Sequence, residues 1–159
     1  MCPRARIAQG FTVTELVVVI VLVGLLAVVA LPRMFSRTSY DALRFYDDAE
    51  AAVRYAQKLA IAGRCNSVQV QTTASTIQLS VLGAAGCAVT TNTAATIPGT
   101  SGGALTAPAG VTLTAATFSF DGGGRPSFAS ALTLNVTASG EPTRSFVIEQ
   151  ETGYVHPAP

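Results

Sequence analysis

The stretch GFTVTELVVVIVLVGLLAVVALP, residues 10–32, decides the fold because it is a long run of apolar residues near the start of the chain. At about 1.5 Å of rise per residue, a helix over residues 11–31 is roughly 30 Å long, the thickness of a bilayer core. Between residues 13 and 31 the only ionisable side chain is Glu15. We therefore predict a hydrophobic transmembrane helix over residues 11–32, which Pro32 kinks or ends.

Glu15 is unusual in this setting. A carboxylate in the middle of a membrane-spanning helix costs roughly 2.5 to 3.5 kcal/mol. One explanation is that Glu15 lies near the helix end, where its side chain reaches the lipid headgroups. A membrane anchor alone does not need this carboxylate, so the residues around it indicate its role only if they form a recognisable pattern with it.

Those neighbours form a pattern: a basic leader with Arg4 and Arg6, then Gly10 and Phe11, then Glu15 four residues after Phe11. This pattern resembles the prepilin leader of the type IV pilin family. The resemblance implies that a prepilin peptidase and methyltransferase cuts between Gly10 and Phe11 and methylates the new amine of Phe11. It also implies that Glu15 then meets the terminal amine of a neighbouring subunit.

The implied pairing is physically reasonable for Glu15. A carboxylate and an ammonium that meet in lipid each relieve the other's desolvation, whereas either charge alone is penalised. Subunits shifted along the helix axis lose the pair, so the resemblance makes Glu15 the residue that sets subunit register. Residues 1–10 would be the cleaved leader, and the apolar segment would stay with the mature protein, unlike that of an ordinary secretory signal.

An amphipathic helix is predicted over residues 33–63. Apolar residues recur at three- and four-residue steps, and Gly63 supplies a stop signal. The charged residues of this segment, among them Asp47 and Asp48, lie mostly off the apolar stripe and are expected to face solvent. The predicted stripe consists of Leu43, Tyr46, Ala49, Val53, Ala56 and Ala60.

Residues 64–159 are predicted to form a β-rich globular domain, which the pilin resemblance places in the periplasm. Alternation of apolar and polar residues predicts a hairpin from residues 66–71 and 76–82, then strands at 111–120, 131–138 and 144–150. The segment 83–110 is rich in Ala, Thr, Gly, Ser and Pro and is predicted to be a long, mobile surface loop with a short strand near residues 88–91. The fold class is therefore α+β: a long N-terminal helix packed on an antiparallel β-sheet or β-sandwich domain.

The elements after residue 33 narrow the resemblance. A hairpin directly after one long helix, the turn FDGGGRP at residues 120–126 and a terminal Gly-Tyr-Val at residues 153–155 resemble the GspH/FimT-type minor pseudopilins. The resemblance implies a structural subunit of a type II secretion pseudopilus or of a type IV or mannose-sensitive-haemagglutinin-type pilus that primes or caps the fibre. Its partners would be other pilin or pseudopilin subunits, the prepilin peptidase and the bacterial inner membrane, with the C-terminal domain in the periplasm.

Three cysteines are present, and Cys2 would leave with the leader. In an exported domain the remaining pair, Cys65 and Cys87, is most simply a disulfide. Closing a loop of about 23 residues would add roughly 3 kcal/mol of stability. Two free buried thiols are the alternative. We expect no metal site, because two cysteines and one distant histidine, His156, do not fill a tetrahedral site.

Charge and motifs disfavour several other functions. Without the leader the chain has eight basic and nine acidic side chains, so DNA is a disfavoured partner. The glycines at residues 122–124 lack the lysine, hydroxyl residue and helix of a phosphate-binding loop and fit a hairpin turn. With one histidine and no serine elbow, we predict neither a catalytic residue nor a cofactor.

Two alternatives to a structural subunit remain open. One is a DNA-binding minor pilin for natural transformation, although the tail ETGYVHPAP carries no Arg or Lys. The other is an unpolymerised, membrane-tethered binding module that keeps its leader.

Overall fold

The structure is a computed structural model that describes residues 11–34 and 37–159, without the side chains of residues 29–37. The chain separates into two compact units that divide between residues 36 and 37. The predicted leader, residues 1–10, and with it the cleavage residue Gly10 lie outside the described part of the chain.

Helix α1, Val13–Met34, forms the first unit and includes Pro32 in its backbone. Residues 35 and 36 are not among those described, so the predicted kink at Pro32 stays a prediction. Among the described residues no helix is both long enough and apolar enough to cross a membrane. Residues 29–32 of the predicted span lie outside the described side chains, and the transmembrane assignment of residues 11–32 stays a prediction.

Helix α2, Arg37–Gly63, begins the second unit and presents one apolar face to its core. Leu43 was expected on this face but is 38% exposed, so that part of the prediction is wrong. Next to Leu43, the side chains of Ala42 and Phe45 are the ones that are buried and face the core. The buried side chains of α2 are Ala42, Phe45, Tyr46, Ala49, Ala52, Val53, Ala56 and Ala60.

Two antiparallel sheets pack against α2, which confirms the α+β prediction. Along residues 37–159 the strands are β1 (Ser67–Thr72), β2 (Thr76–Leu82), β3 (Thr93–Ala95), β4 (Leu105–Thr106), β5 (Val111–Leu113), β6 (Ala116–Phe120), β7 (Leu132–Ala138), β8 (Arg144–Ile148) and β9 (Val155–Pro157). In the first sheet the strand order is β3-β2-β1-β6, and β4 pairs with another part of β2; in the second the order is β5-β7-β8-β9.

The core lies between α2 and the inner faces of both sheets. Phe120 of β6 and Phe146 of β8 are fully buried in it, and Tyr46 of α2 meets Phe146 edge-on at 5.7 Å between ring centroids. Each sheet therefore contributes a phenylalanine to the same apolar volume. The two sheets and α2 are held together as one packed unit.

The single strand predicted over residues 111–120 is wrong, because the chain changes sheet at its centre. Val111–Leu113 pairs with β7, whereas Ala116–Phe120 pairs with β1. At the crossover the buried Thr72 hydroxyl donates to the Thr114 carbonyl at 2.8 Å and accepts the Ala116 N–H at 2.8 Å. This side chain supplies the hydrogen bonds that the interrupted ladder cannot.

The segment 83–110 is more structured than a plain surface loop. Residues 88–91 are not a strand, contrary to expectation, but Thr93–Ala95 and Leu105–Thr106 both pair with β2. Ile97, which lies between these two short strands in the sequence, is buried. Burial of this large apolar side chain stabilises the conformation of the segment, although its composition of small and polar residues predicts a mobile loop.

The turn after β6 wraps the C-terminal end of α2 and needs glycine for reasons of space. A Cβ at position 122 would lie 1.6 Å from the carbonyl oxygen of Arg64, and one at position 124 would lie 2.8 Å from Ile61. Gln57 of α2 also donates to the Gly124 carbonyl at 3.0 Å and to the Thr152 carbonyl at 2.8 Å. The helix end and the turns that follow β6 and β8 are thus fixed together.

Gly122→Ala is expected to lower the free energy of unfolding by about 1 to 3 kcal/mol, because the methyl group must displace backbone. Gly63→Ala is the matched control, since its Cβ would meet nothing nearer than the Asn66 Cβ at 3.9 Å and neither glycine has a positive φ. Urea unfolding of both variants measures the difference. Equal midpoints for the two variants would show that the turn does not press on the helix end.

Candidate functional site

The first turn of α1 is closed by reciprocal hydrogen bonds between Thr12 and Glu15. Glu15 Oε2 accepts the Thr12 backbone N–H at 3.1 Å and the Thr12 hydroxyl at 2.9 Å, while Thr12 Oγ1 accepts the Glu15 N–H at 3.3 Å. The Leu16 N–H donates to the Thr12 carbonyl at 3.1 Å, the first bond of the helix. Thr12 is therefore the N-cap, and the pair forms a capping box.

The capping box uses one carboxylate oxygen of Glu15 and leaves the other available. Among the described residues, no donor lies within hydrogen-bond distance of Oε1. An ionised carboxylate accepts through both oxygens, and the helix N-terminus favours negative charge. The arrangement can hold its own helix end and accept one further donor, such as an ammonium, without a change of geometry.

Residues 16–28 of α1 present apolar side chains on all faces of the helix. Between residues 13 and 28 the large apolar side chains are 48% to 79% exposed. Patches this large on a folded chain mark a surface that is covered by lipid or by another protein. They comprise Val13, Leu16, Val17, Val18, Val19, Ile20, Val21, Leu22, Val23, Leu25, Leu26 and Val28.

The predicted processing and register residues fall at this same end of the helix. Phe11, the predicted new N-terminus and methylation site, directly precedes the N-cap and is 83% exposed. Glu15 lies in the first turn. The structure therefore places Phe11 and Glu15 within five residues at one helix terminus, with Thr12 between them.

Thr12 was not singled out from the sequence, although a signal for it was present. The motif Thr-x-x-Glu directly before an apolar run is the sequence signature of a capping box. The charge of Glu15 is the more conspicuous feature of the sequence, and only the three-residue spacing to Thr12 indicates that its side chain caps the helix. Thr14 adds to the same cluster, because its hydroxyl lies 3.0 Å from that of Thr12.

The second group of predicted residues, Cys65 and Cys87, forms a disulfide with 5.6 Å between the Cα atoms. The neighbouring side chain of Asn66 is buried and holds the same loop. Its amide group donates to the carbonyls of Leu82 and Val89 at 2.9 and 2.7 Å, and its oxygen accepts the Val89 N–H. The loop that follows β2 is thus fixed to the end of α2 twice, once by a covalent bond and once by an amide.

Most backbone amides of the glycine-rich turn at residues 121–125 are already hydrogen-bonded within the turn and are not free to bind a phosphate group. The Gly123 and Arg125 N–H groups both donate to Asp121 Oδ1 at 2.9 Å, and the Gly124 N–H donates to the Asp121 carbonyl at 2.8 Å. A phosphate cradle needs such amides free. The observed geometry is that of a self-contained turn between strands.

Comparisons with known proteins found matches to the fold of this chain but none to its sequence. No protein-family model matches this chain, and no curated protein sequence matches it. Two crystal forms of the type IV minor pilin FimU from Pseudomonas aeruginosa strain PAO1 match the structure, each with 15% sequence identity. In the P21 form the TM-score is 0.53 and the match covers 77% of this chain and 89% of FimU; in the P65 form the values are 0.51, 76% and 92%. The chain therefore has a type IV pilin-like fold.

Proposed function

We propose that this protein is a minor pilin or pseudopilin, a structural subunit that joins a filament through helix α1. The observation that carries the proposal is the combination at the start of α1 of an exposed apolar surface with a half-satisfied carboxylate, Glu15. An apolar helix without covering side chains is unstable in water, so it needs lipid before assembly and neighbouring helices afterwards. The type IV pilin-like fold of the chain supports this reading.

The proposed contact is an ion pair between Glu15 of one subunit and the methylated amine of Phe11 of a neighbour. Oε2 is already held by Thr12, so the partner ammonium would approach Oε1. Pre-organisation by the capping box lowers the entropy lost when the pair forms, because the carboxylate need not search for its rotamer. Registry would follow from the high cost of leaving either charge unpaired in an apolar bundle.

In this proposal the prepilin peptidase removes residues 1–10 on the cytoplasmic side of the bacterial inner membrane. The domain, residues 37–159, then lies in the periplasm and links or caps neighbouring subunits of a type II secretion pseudopilus or a type IV pilus. An oxidising periplasm is consistent with the disulfide between Cys65 and Cys87. No part of this role requires catalysis.

Processing is expected to leave a mature chain that begins with N-methylated Phe11. Intact-mass analysis of the protein isolated from its native membrane measures this directly. A chain that retains Met1 would favour the unpolymerised tethered module and would contradict the assembly role.

Glu15→Ala is expected to insert and be cleaved yet fail to enter filaments, because the carboxylate is lost. Glu15→Gln separates charge from helix capping: the glutamine amide oxygen still accepts from Thr12, but the charge is absent. We expect incorporation to fall at least tenfold in Glu15→Gln, as in Glu15→Ala, because a charge-assisted contact is worth about 1.5 to 3 kcal/mol.

The matched control is Thr12→Val, which removes the capping hydroxyl at a cost of about 1 kcal/mol and keeps the carboxylate. This variant should still be incorporated after cleavage. Quantitative immunoblots of sheared filaments against total membrane protein give the ratio for each variant. Normal incorporation of Glu15→Gln would exclude a role for the charge, and failure of Thr12→Val alone would assign the role to the cap.

A further inference from the structure

The C-terminal strand β9 is an edge strand whose one ionisable side chain lies between two oxygen acceptors. His156 Nε2 is 3.0 Å from Glu149 Oε1, and His156 Nδ1 is 2.8 Å from the carbonyl oxygen of Pro157. A peptide carbonyl accepts hydrogen bonds and does not donate them, and the same holds for an ionised carboxylate. Both ring nitrogens must therefore carry a proton for both bonds to form, and that form is the imidazolium.

The surroundings of His156 also favour the cationic ring. Tyr154 stacks on it with 5.4 Å between ring centroids and 23° between planes, a geometry in which an aromatic face attracts a cation. The charged group nearest to the ring is Glu149, and Glu50 on helix α2 contributes a smaller attraction. Glu50 is itself paired with Arg54, at 2.7 Å.

Strand β9 has further contacts that do not involve His156. Arg54 donates to the Val155 carbonyl at 3.0 and 3.3 Å, and the Ala158 N–H donates to the Ser145 carbonyl at 2.9 Å. The strand pairs with β8 through three residues, with His156 opposite Val147. So short an edge strand depends on each bond. The bond from His156 to Glu149 joins β9 to the end of β8, and the bond from His156 to the Pro157 carbonyl fixes the ring orientation within β9.

We propose that His156 is a proton-dependent clasp: its protonated ring closes the C-terminal strand β9 and the exposed Tyr154 onto the end of β8, and loss of the proton loosens them. A neutral ring can donate from one nitrogen, so it keeps one of the two bonds and turns a lone pair toward the other oxygen. Tyr154 is 60% exposed, so the clasp determines how firmly an aromatic side chain is presented at the edge of the domain. The clasp does not rest on the proposed assembly role.

The sign of the pH dependence follows from the contacts. The hydrogen bond to Glu149, and to a smaller degree that to the Pro157 carbonyl, raises the pKa of His156 above its ordinary value of 6.5. A raised pKa in the folded state means that the stabilisation is complete below about pH 6.5 and is lost as the pH rises through the raised pKa. The clasp is therefore closed in mildly acidic solution and loosens in alkaline solution.

Hydrogen exchange in the full chain, in zwitterionic detergent micelles, tests the clasp. His156 is the one histidine of the sequence, so its imidazole NMR signals report the titration without overlap. We expect the protection factor of the Ala158 amide, corrected for intrinsic exchange, to fall roughly two- to tenfold from about pH 6 to about pH 9, the range for one hydrogen bond. The Ala107 amide, which donates to the Ser75 carbonyl at 2.8 Å, is the internal reference and should show no such step.

Two variants distinguish the effect of His156 protonation from the effect of the His156 hydrogen bonds. In Glu149→Gln the side-chain amide can donate to a neutral Nε2 while Nδ1–H donates to Pro157, so β9 should remain closed at both pH values with no step. In His156→Phe the ring can still stack on Tyr154 but both hydrogen bonds are gone, so Ala158 should exchange at the faster rate at both pH values. A wild-type protein without a step, or a step that persists in either variant, would overturn the proposal.

Discussion

One face of helix α2 is the constraint on which the domain depends. Four alanines on that face, at positions 49, 52, 56 and 60, have almost no exposed surface, and their small side chains let the sheets approach the helix backbone closely. Larger neighbours such as Phe45 and Tyr46 fill the space at the N-terminal end of the face. Because this one face contacts strands of both sheets, neither sheet can shift without opening the core.

Helix α1 differs from α2, because its large apolar side chains between residues 13 and 28 are exposed. An apolar surface of this size is normally covered by lipid or by other protein surfaces. The Thr12–Glu15 capping box secures the end of this helix and at the same time orients the one carboxylate in it. A single residue can thus serve both helix capping and the proposed subunit contact, because capping uses only Oε2 of the carboxylate.

The pattern of the sequence was sufficient for the helices, the hairpin β1–β2 and the later strands β7 and β8, where alternation is long and regular. It failed where a short side chain or a long-range contact decides the structure. The change of sheet within residues 111–120 left a trace, because the buried positions shift from odd numbers, at Leu113, to even numbers, at Phe118. That shift was readable, but the crossover also needs the Thr72 hydroxyl, which is distant in sequence.

Strands β3 and β4 had no comparable signal. They contain small residues and owe their existence to pairing with β2, so propensity within residues 83–110 could not reveal them. The role of Gly122 was also inaccessible, since the atom that excludes a side chain there belongs to Arg64. At the proposed assembly site, Glu15 is recognisable in the sequence from its charge, whereas Thr12 is recognisable only from its three-residue spacing to Glu15.

In the proposed filament the Glu15 carboxylate of one subunit contacts the terminal amine of another. The most direct measurement is solid-state NMR of filaments that combine this chain, 13C-labelled at its glutamate carboxyl carbons, with neighbouring subunits 15N-labelled at their terminal amines. We expect an intersubunit carbon–nitrogen coupling from Glu15 that corresponds to contact at about 4 Å, the range of an ion pair. Filaments that contain this chain but show no such coupling would exclude the ion pair.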